Sequence, residues 1–471
     1  MYEGLLVIDA DAHKLENPLI MRDYLDPQYR DRIGLVIDRL GDQRVRIVDF
    51  NPKTGANDLT QLFPQPSGLG KGGFRTLHPE TTLGAMFNRP RIEQMDAEGI
   101  DVHIIYGTLN LVFASLLDKE LAIALCQAYN TYMAEDCRPY GDRLKPIGVL
   151  PLQDVDAAIK EMYRCVHELG MVGVAVPPNL PVPHPRAPEA FPEIRTCKAI
   201  SHPDFRPVLQ AAVDLDVALG IHGAPGSYMM GGIADHMETF VLTHIFVQRN
   251  QQQHAMTRMV FDGAFEQFPT LRVGFLEGGC GWLPDLSHAM HEHWEKRVRD
   301  FDPKHPYHPS TMDITRLMLQ ERGTHNSTNV ISQVKNLFNL LWSAEHDSMS
   351  IDDESLYEHY SLRHRDPLEY FERGQIYVSF ESDDPAPAYL PQAMGEVGKR
   401  IVCFSGDYGH WDGVLQNCVR DAAQKGNYDR AHLAQLLAGN SLALYGDRLR
   451  NSLPNSAQSS PDLVTSASYS T

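Results

Sequence analysis

A distorted (β/α)8 barrel, of the α/β class, is predicted for this chain by three observations. Eight short runs are rich in apolar and β-branched residues, as strands buried on both faces should be. Helical patterning separates them, so strand and helix alternate over eight units. Polar residues able to bind metal stand at the ends of four runs: Asp9-Ala10-Asp11-Ala12-His13, His222, Glu277 and Asp407. A barrel enzyme builds its active site at the C-terminal ends of its strands.

The strands are expected at residues 5–10, 102–106, 145–150, 172–177, 217–222, 271–277, 375–381 and 400–405. The helical segments are 91–98, 119–138, 154–169, 204–215, 236–268, 283–298, 413–425 and 430–437. In 119–138 the apolar residues Leu121, Ala124, Leu125, Ala128 and Met133 recur at spacings of three and four. Asp154 is a helix cap and Gly170 a helix stop. Two stretches exceed a minimal barrel. Residues 36–88 hold strand-like pieces and Gly/Pro-rich turns, and residues 299–372 form a polar, histidine-rich insertion between strands six and seven. That insertion is expected to be partly helical and to lie over the barrel mouth. The reading is one domain over residues 1–450, followed by a Ser/Thr/Asn/Pro-rich tail, 451–471, expected to be disordered.

Composition sets the outer bounds. The 471 residues are 43% hydrophobic, enough for a full core. A net charge of -19 argues against nucleic acid or an anionic membrane as partner. Seven scattered cysteines, without a Cys-x-x-Cys pair, read as reduced thiols in a cytoplasmic protein. No stretch resembles a secretory signal or a membrane span. The expected partner is a small-molecule substrate, and a homodimer is the default assembly.

The spacing of the polar residues carries the chemistry. Asp11 and His13 are two apart, so an extended backbone points both the same way. His222 and Asp407, from other strand ends, can converge on the same point. Two imidazoles and carboxylates with an open position suit a catalytic Zn²⁺, with Mn²⁺ or Fe²⁺ as alternatives. Asp407 is the candidate general base. A lone Asp-x-His, or a lone His at a strand end, is weak evidence. Four such pieces at strands one, five, six and eight are far harder to obtain by chance.

The chain resembles the amidohydrolase superfamily, within it the branch of aminocarboxymuconate semialdehyde decarboxylase-like hydrolases and decarboxylases. The resemblance rests on Val7-Ile8-Asp9-Ala10-Asp11-Ala12-His13, Met95-Asp96-Ala97-Glu98-Gly99-Ile100-Asp101, Gly220-Ile221-His222-Gly223, Phe275-Leu276-Glu277-Gly278-Gly279 and Gly406-Asp407-Tyr408-Gly409-His410. It implies a distorted TIM barrel and a divalent metal held by Asp11, His13, His222 and Asp407. This chain departs from many relatives in three places. Asp11 replaces the first His of a His-x-His pair, Glu277 stands where decarboxylating relatives carry a His, and Gly409 replaces a Pro. No Lys follows the fourth strand, so a two-metal site built on a carboxylated Lys is not expected, although Glu277, Glu381 and Asp384 leave a second ion open.

Other residues have two readings each. Glu16 either binds substrate and orients His13 or makes a loop hydrogen bond. Glu381 ends strand seven and is placed at the mouth, and His410 is placed behind Asp407. Arg89 and Arg91 are read as surface salt bridges before carboxylate binders. Cys280 is read as a buried filler. The leading expectation is a metal-dependent hydrolase in which Asp407, Glu277 and His222 are catalytic and metal-bound water attacks a small organic substrate. The alternatives are non-oxidative decarboxylation on the same metal and a non-haem iron oxygenase. The Glu277 replacement weighs against decarboxylation.

Overall fold

In the computed structural model, the described residues are 1–37, 43–51, 56–62, 79–183, 195–223, 240–295, 365–410 and 416–454. Eight parallel strand positions follow one another in chain order, all buried. They are β1 (Ile8–Lys14), β2 (Val102–Gly107), β3 in two pieces (Leu144–Pro146 and Gly148–Val149), β4 (Gly173–Val176), β5 (Ala218–Ile221), β6 (Val273–Phe275), β7 (Ile376–Phe380) and β8 (Val402–Phe404). One ladder joins β1, β2 and the first piece of β3, and a second runs from the other piece of β3 through β8. Val, Ile, Leu and Phe fill both faces, as in a sheet covered on each side.

All eight expected runs lie on these strands. The ladders do not close into a ring: among the described residues no backbone ladder joins β8 to β1. One backbone hydrogen bond, from His13 N–H to Tyr408 O, and two side-chain contacts bridge that seam. The Ser405 hydroxyl donates to the Asp11 carbonyl at 3.2 Å, and the Gly406 N–H donates to Asp9 Oδ1 at 3.0 Å. The first strand also starts later and runs further than expected. It pairs with β2 from Ile8↔Val102 to Lys14↔Gly107, with a register irregularity between Asp9 and Ala12. Asp11 and His13 therefore sit within a strand rather than in the loop after it.

Helices α1 (Asn88–Glu98), α2 (Lys119–Cys137), α3 (Val155–His167), α4 (Arg206–Asp214), α5 (Phe240–Phe261) and α6 (Leu283–His293) fill the connections from β1 to β7. The caps follow local rules. Asp118 accepts from the N–H groups of Glu120 and Leu121, and Asp154 accepts from Ala157 N–H. The helix expected over 236–268 is broken after Phe261, because Gly263 at φ 75° turns the chain before a short helix, Ala264–Gln267. Past β8 the helix expected to end at 437 continues through a π-turn into α7 (Asn440–Arg450). Gly439-Asn440-Ser441 reads as a stop in sequence. In the fold, buried Asn440 donates to the carbonyls of Lys399 and Val402, docking the chain on β8.

Within the expected 36–88 stretch, the strands Gln43–Asn51 and Ala56–Leu62 pair antiparallel in a sheet that begins with Ile33–Ile37. Asp49 fastens it to the start of α2, accepting from Leu117 N–H and Asp118 N–H. The insertion expected over 299–372 and the tail over 451–471 lie almost wholly outside the described residues. No helix among the described residues is long and apolar enough to cross a membrane.

Candidate metal centre

The strand ends bring six donor side chains into one buried ring. His13 Nε2 lies 3.6 Å from Asp11 Oδ1, 3.5 Å from Asp407 Oδ1 and 3.1 Å from His222 Nε2. His222 Nε2 is 3.7 Å from Asp11 Oδ1 and 2.9 Å from Glu277 Oε2. His410 Nδ1 closes the ring, 2.9 Å from Asp407 Oδ1 and 3.7 Å from Glu277 Oε1. The ring contains two overlapping sets that could hold an ion: Asp11, His13 and His222, and His13, Asp407 and His410.

The fit to a cation can be tested on spacing and on hydrogen bonding. Donors held about 2.1 Å from a shared ion lie about 3.0–3.4 Å from each other. The observed separations of 2.9–3.7 Å lie within about 0.3 Å of that range on either side. Neither carboxylate oxygen of Asp11 has a hydrogen-bond partner, although the residue is buried. A buried carboxylate without partners is costly unless a cation is supplied. The donor set fits a divalent ion.

In the metal-free protein the donors perturb one another's protonation. Burial, with the Glu277 and Asp9 carboxylates nearby, pushes the Asp11 carboxyl up to about 7. Burial, helped by His410 and His222, holds the His13 imidazolium well below its usual range, so its ring is neutral, as a ligand must be. At His222 burial opposes the charge, but the adjoining Glu277 and Asp11 carboxylates outweigh it and raise the imidazole to about 10.

Backbone strain marks the site as well. Glu277 and Asp407 adopt left-handed backbone, with φ of 58° and 44°. Ser379 Oγ accepts from Glu277 N–H at 2.9 Å, and Ser405 Oγ accepts from Asp407 N–H at 3.2 Å. Asp384 fixes the same loop by accepting from Cys280 N–H at 3.0 Å and from Ala386 N–H at 2.8 Å. Ser379 and Ser405 were not picked out from sequence. Their only local signal is a polar residue at the end of an apolar strand.

Beneath the ring, the Tyr106 ring stacks on His222 with centroids 5.6 Å apart, and its hydroxyl meets that of Tyr445 at 2.8 Å. A Cβ at Gly220 would come within 2.1 Å of the Tyr106 hydroxyl, so the glycine makes room for this floor. Tyr445 belongs to α7, the helix the sequence reading ended too early.

Three expected residues stand elsewhere. Glu16 Oε2 accepts from Thr108 N–H at 3.0 Å, the loop hydrogen bond of its second reading. Glu381 is half-buried past β7 and belongs to neither donor set. Arg91 is not at the surface: it is fully buried, and its guanidinium donates to Gly84 O and His13 O. Arg89 does make the expected surface pair, with Glu93 at 3.2 Å. Cys280 is buried, and all seven cysteines are free.

Comparison with known proteins places this architecture. A family model described as Amidohydrolase matches residues 106–305, from the end of β2 past α6. Gamma-resorcylate decarboxylase of Rhizobium sp. is 30% identical over 184 residues, 39% of this chain and 53% of that one. The 2-amino-3-carboxymuconate-6-semialdehyde decarboxylase of Dictyostelium discoideum is 25% identical over 189 residues, 40% of this chain and 47% of its own length. The chain thus spans about half the length of these curated relatives. Among solved structures, an amidohydrolase from Mycobacterium avium subsp. paratuberculosis aligns with a TM-score of 0.60 at 16% identity, covering 94% of this chain and 99% of that one. A dihydroxybenzoic acid decarboxylase from Polaromonas sp., solved with bound manganese, aligns with a TM-score of 0.53 at 18% identity, covering 81% and 93%. Over this region the chain is similar to the amidohydrolase superfamily and, within it, to decarboxylase-like members.

Proposed function

We propose that this chain is a divalent-metal-dependent carboxy-lyase that removes CO2 from a small carboxylic acid. The observation that carries the reading is the pair of overlapping donor sets, Asp11–His13–His222 and His13–Asp407–His410, with the Glu277 carboxylate beside them. The curated relatives named above are decarboxylases, which supports this reaction over the hydrolysis expected from sequence. Their names also make a hydroxylated aromatic acid the first substrate class to test. We read the eight strands as a distorted TIM barrel.

Asp11, His13, His222 and Asp407 would hold the ion. A bound divalent cation would supply the charge that holds the substrate's carboxylate and a neighbouring oxygen. Two imidazoles with carboxylates accept either Mn²⁺ or Zn²⁺. Glu277, in its acid form, would deliver a proton to the carbon bearing the carboxylate. The C–C bonding pair then stays with the carbon skeleton, CO2 departs, and the Glu277 carboxylate regains its proton from water. His410, 3.7 Å from Glu277, is placed to pass that proton.

The test is to load the protein with Mn²⁺ or Zn²⁺ and follow CO2 release from a panel of hydroxybenzoates, with and without a hydroxyl beside the carboxylate. Release that stops on chelation and in Asp11→Ala supports the reading. Cleavage of esters, amides or lactones without CO2 would replace it with the hydrolase, in which Asp407 and Glu277 serve as bases to metal-activated water. The carboxylate of Glu277, 2.9 Å from His222, is the observation that favours this second reading.

A further inference from the structure

Arg91 is fully buried on α1, yet among the described residues no carboxylate lies within ion-pair distance of its guanidinium. Placing a cation there costs stability, and an apolar side chain of similar size would pack at lower cost. Its donors are spent on three acceptors: Gly84 O at 3.0 Å, the carbonyl of His13, and His103 Nδ1 at 3.2 Å. Its guanidinium also lies 4.5 Å from the centre of the Tyr408 ring.

Those contacts lead to the candidate ligands. The His13 carbonyl belongs to a ring donor, and His13 N–H donates to Tyr408 O, tying β1 to the residue after Asp407. Because His103 Nδ1 accepts from Arg91, its proton sits on Nε2, which faces Asp9 Oδ2 at 3.6 Å. Asp9 Oδ1 in turn accepts from the N–H groups of Asp11 and Gly406, at 3.1 and 3.0 Å. One arginine therefore touches, directly or through His103 and Asp9, the backbone on which Asp11, His13 and Asp407 are mounted. This group sits at the seam between β8 and β1, where among the described residues no ladder holds the strands.

We propose that Arg91 is the positioning residue of the metal centre, holding the β1 and β8 donors in register through His13 O, Tyr408 and the His103–Asp9 pair. The proposal rests on the metal-site reading above and deepens it. Arg91 touches no reacting atom; it acts by fixing ligand geometry, as the outer partners of metal ligands do.

The test compares Arg91→Met, His103→Leu and wild type, with Val208→Ala on α4 as a core variant remote from the seam. Urea unfolding of the metal-free proteins gives stability. Mn²⁺ titration gives affinity, and the visible spectrum of the Co²⁺-loaded proteins reports ligand geometry. Arg91→Met is expected to lose about 10- to 100-fold in Mn²⁺ affinity and to shift the Co²⁺ bands. Val208→Ala should lose stability while keeping both. Arg91→Lys keeps the charge but not the fork of donors, and is expected to recover little of the affinity. A folded Arg91→Met with wild-type affinity and an unchanged Co²⁺ spectrum would overturn the proposal. Should Arg91→Met not fold, His103→Leu decides by the same two readouts. Failure of the wild type to take up Mn²⁺ or Co²⁺ would sink the metal-site reading itself, a result distinct from an unaffected variant.

Discussion

Asp11 is the residue on which the metal reading is most exposed to test. It is buried, its carboxyl oxygens accept no hydrogen bond, and His13 and His222 crowd it. Replacing Asp11 or His222 with Ala is expected to lower Mn²⁺ affinity by more than the roughly 10- to 100-fold typical of an outer partner, measured by titration of the folded variants. The protonation of His222 adds a pH dependence. Its imidazole, raised to about 10 in the metal-free protein, is charged at pH 7, whereas a ligand must be neutral. Metal uptake at pH 7 should therefore release protons, and affinity should rise as pH climbs towards 10. Calorimetry in two buffers of different ionisation enthalpy measures the release; none at His222's expense would contradict the assignment. Stability of the metal-free protein runs the opposite way. The charged His222 contributes fully below its unfolded value, near 6.5, and that contribution fades as pH rises through 10. Glu277→Gln keeps the size of the side chain but cannot transfer the proton. It should lower turnover by about 10²- to 10⁴-fold while metal content stays at the wild-type level.

At the scale of elements, the connection between α2 and β3 is held by one buried amide. Asn130 Nδ2 donates to Val149 O at 2.9 Å and to Glu161 Oε1 at 2.6 Å, while its Oδ1 accepts from Val149 N–H at 2.8 Å. Asn130→Ala would take the side-chain partner from the Val149 N–H and carbonyl, out of water, at a cost of about 3 kcal/mol. Urea unfolding monitored by circular dichroism should show the loss, with metal affinity unchanged because Asn130 is remote from the ring. Elements of this kind divide by how far they could be read in sequence. Helix α3 was legible from Asp154 to Gly170 because its cap, its apolar spacing and its stop are local properties. Helix α7 was not, because Asn440 continues the chain only by docking on Val402 O and Lys399 O. Strand β1 was placed too early because pairing with β2, not apolar content, sets where it ends.

For the whole molecule, a bound ion should appear as stability. A site occupied only in the folded state adds about 2.7 kcal/mol when free metal is 100 times its dissociation constant. Thermal unfolding with increasing Mn²⁺ should therefore move upward in wild type, return on addition of a chelator, and stay fixed in Asp11→Ala. A melting curve indifferent to metal in wild type would leave the buried carboxylates without an explanation. The sequence by itself determined the order of the strands and the α/β class, and singled out Asp11, His13, His222, Glu277 and Asp407 as candidate donors, because apolar runs and the polar residues that end them are local patterns. Only the tertiary structure decided which donors meet. It stacked His410 on His13 at 3.8 Å, left Glu16 and Glu381 out of the donor sets, and carried Arg91 from an expected surface position to the seam behind the ring. Those outcomes depend on contacts between residues as far apart as Asp11 and Ser405, 394 positions along the chain, and no window of sequence contains both.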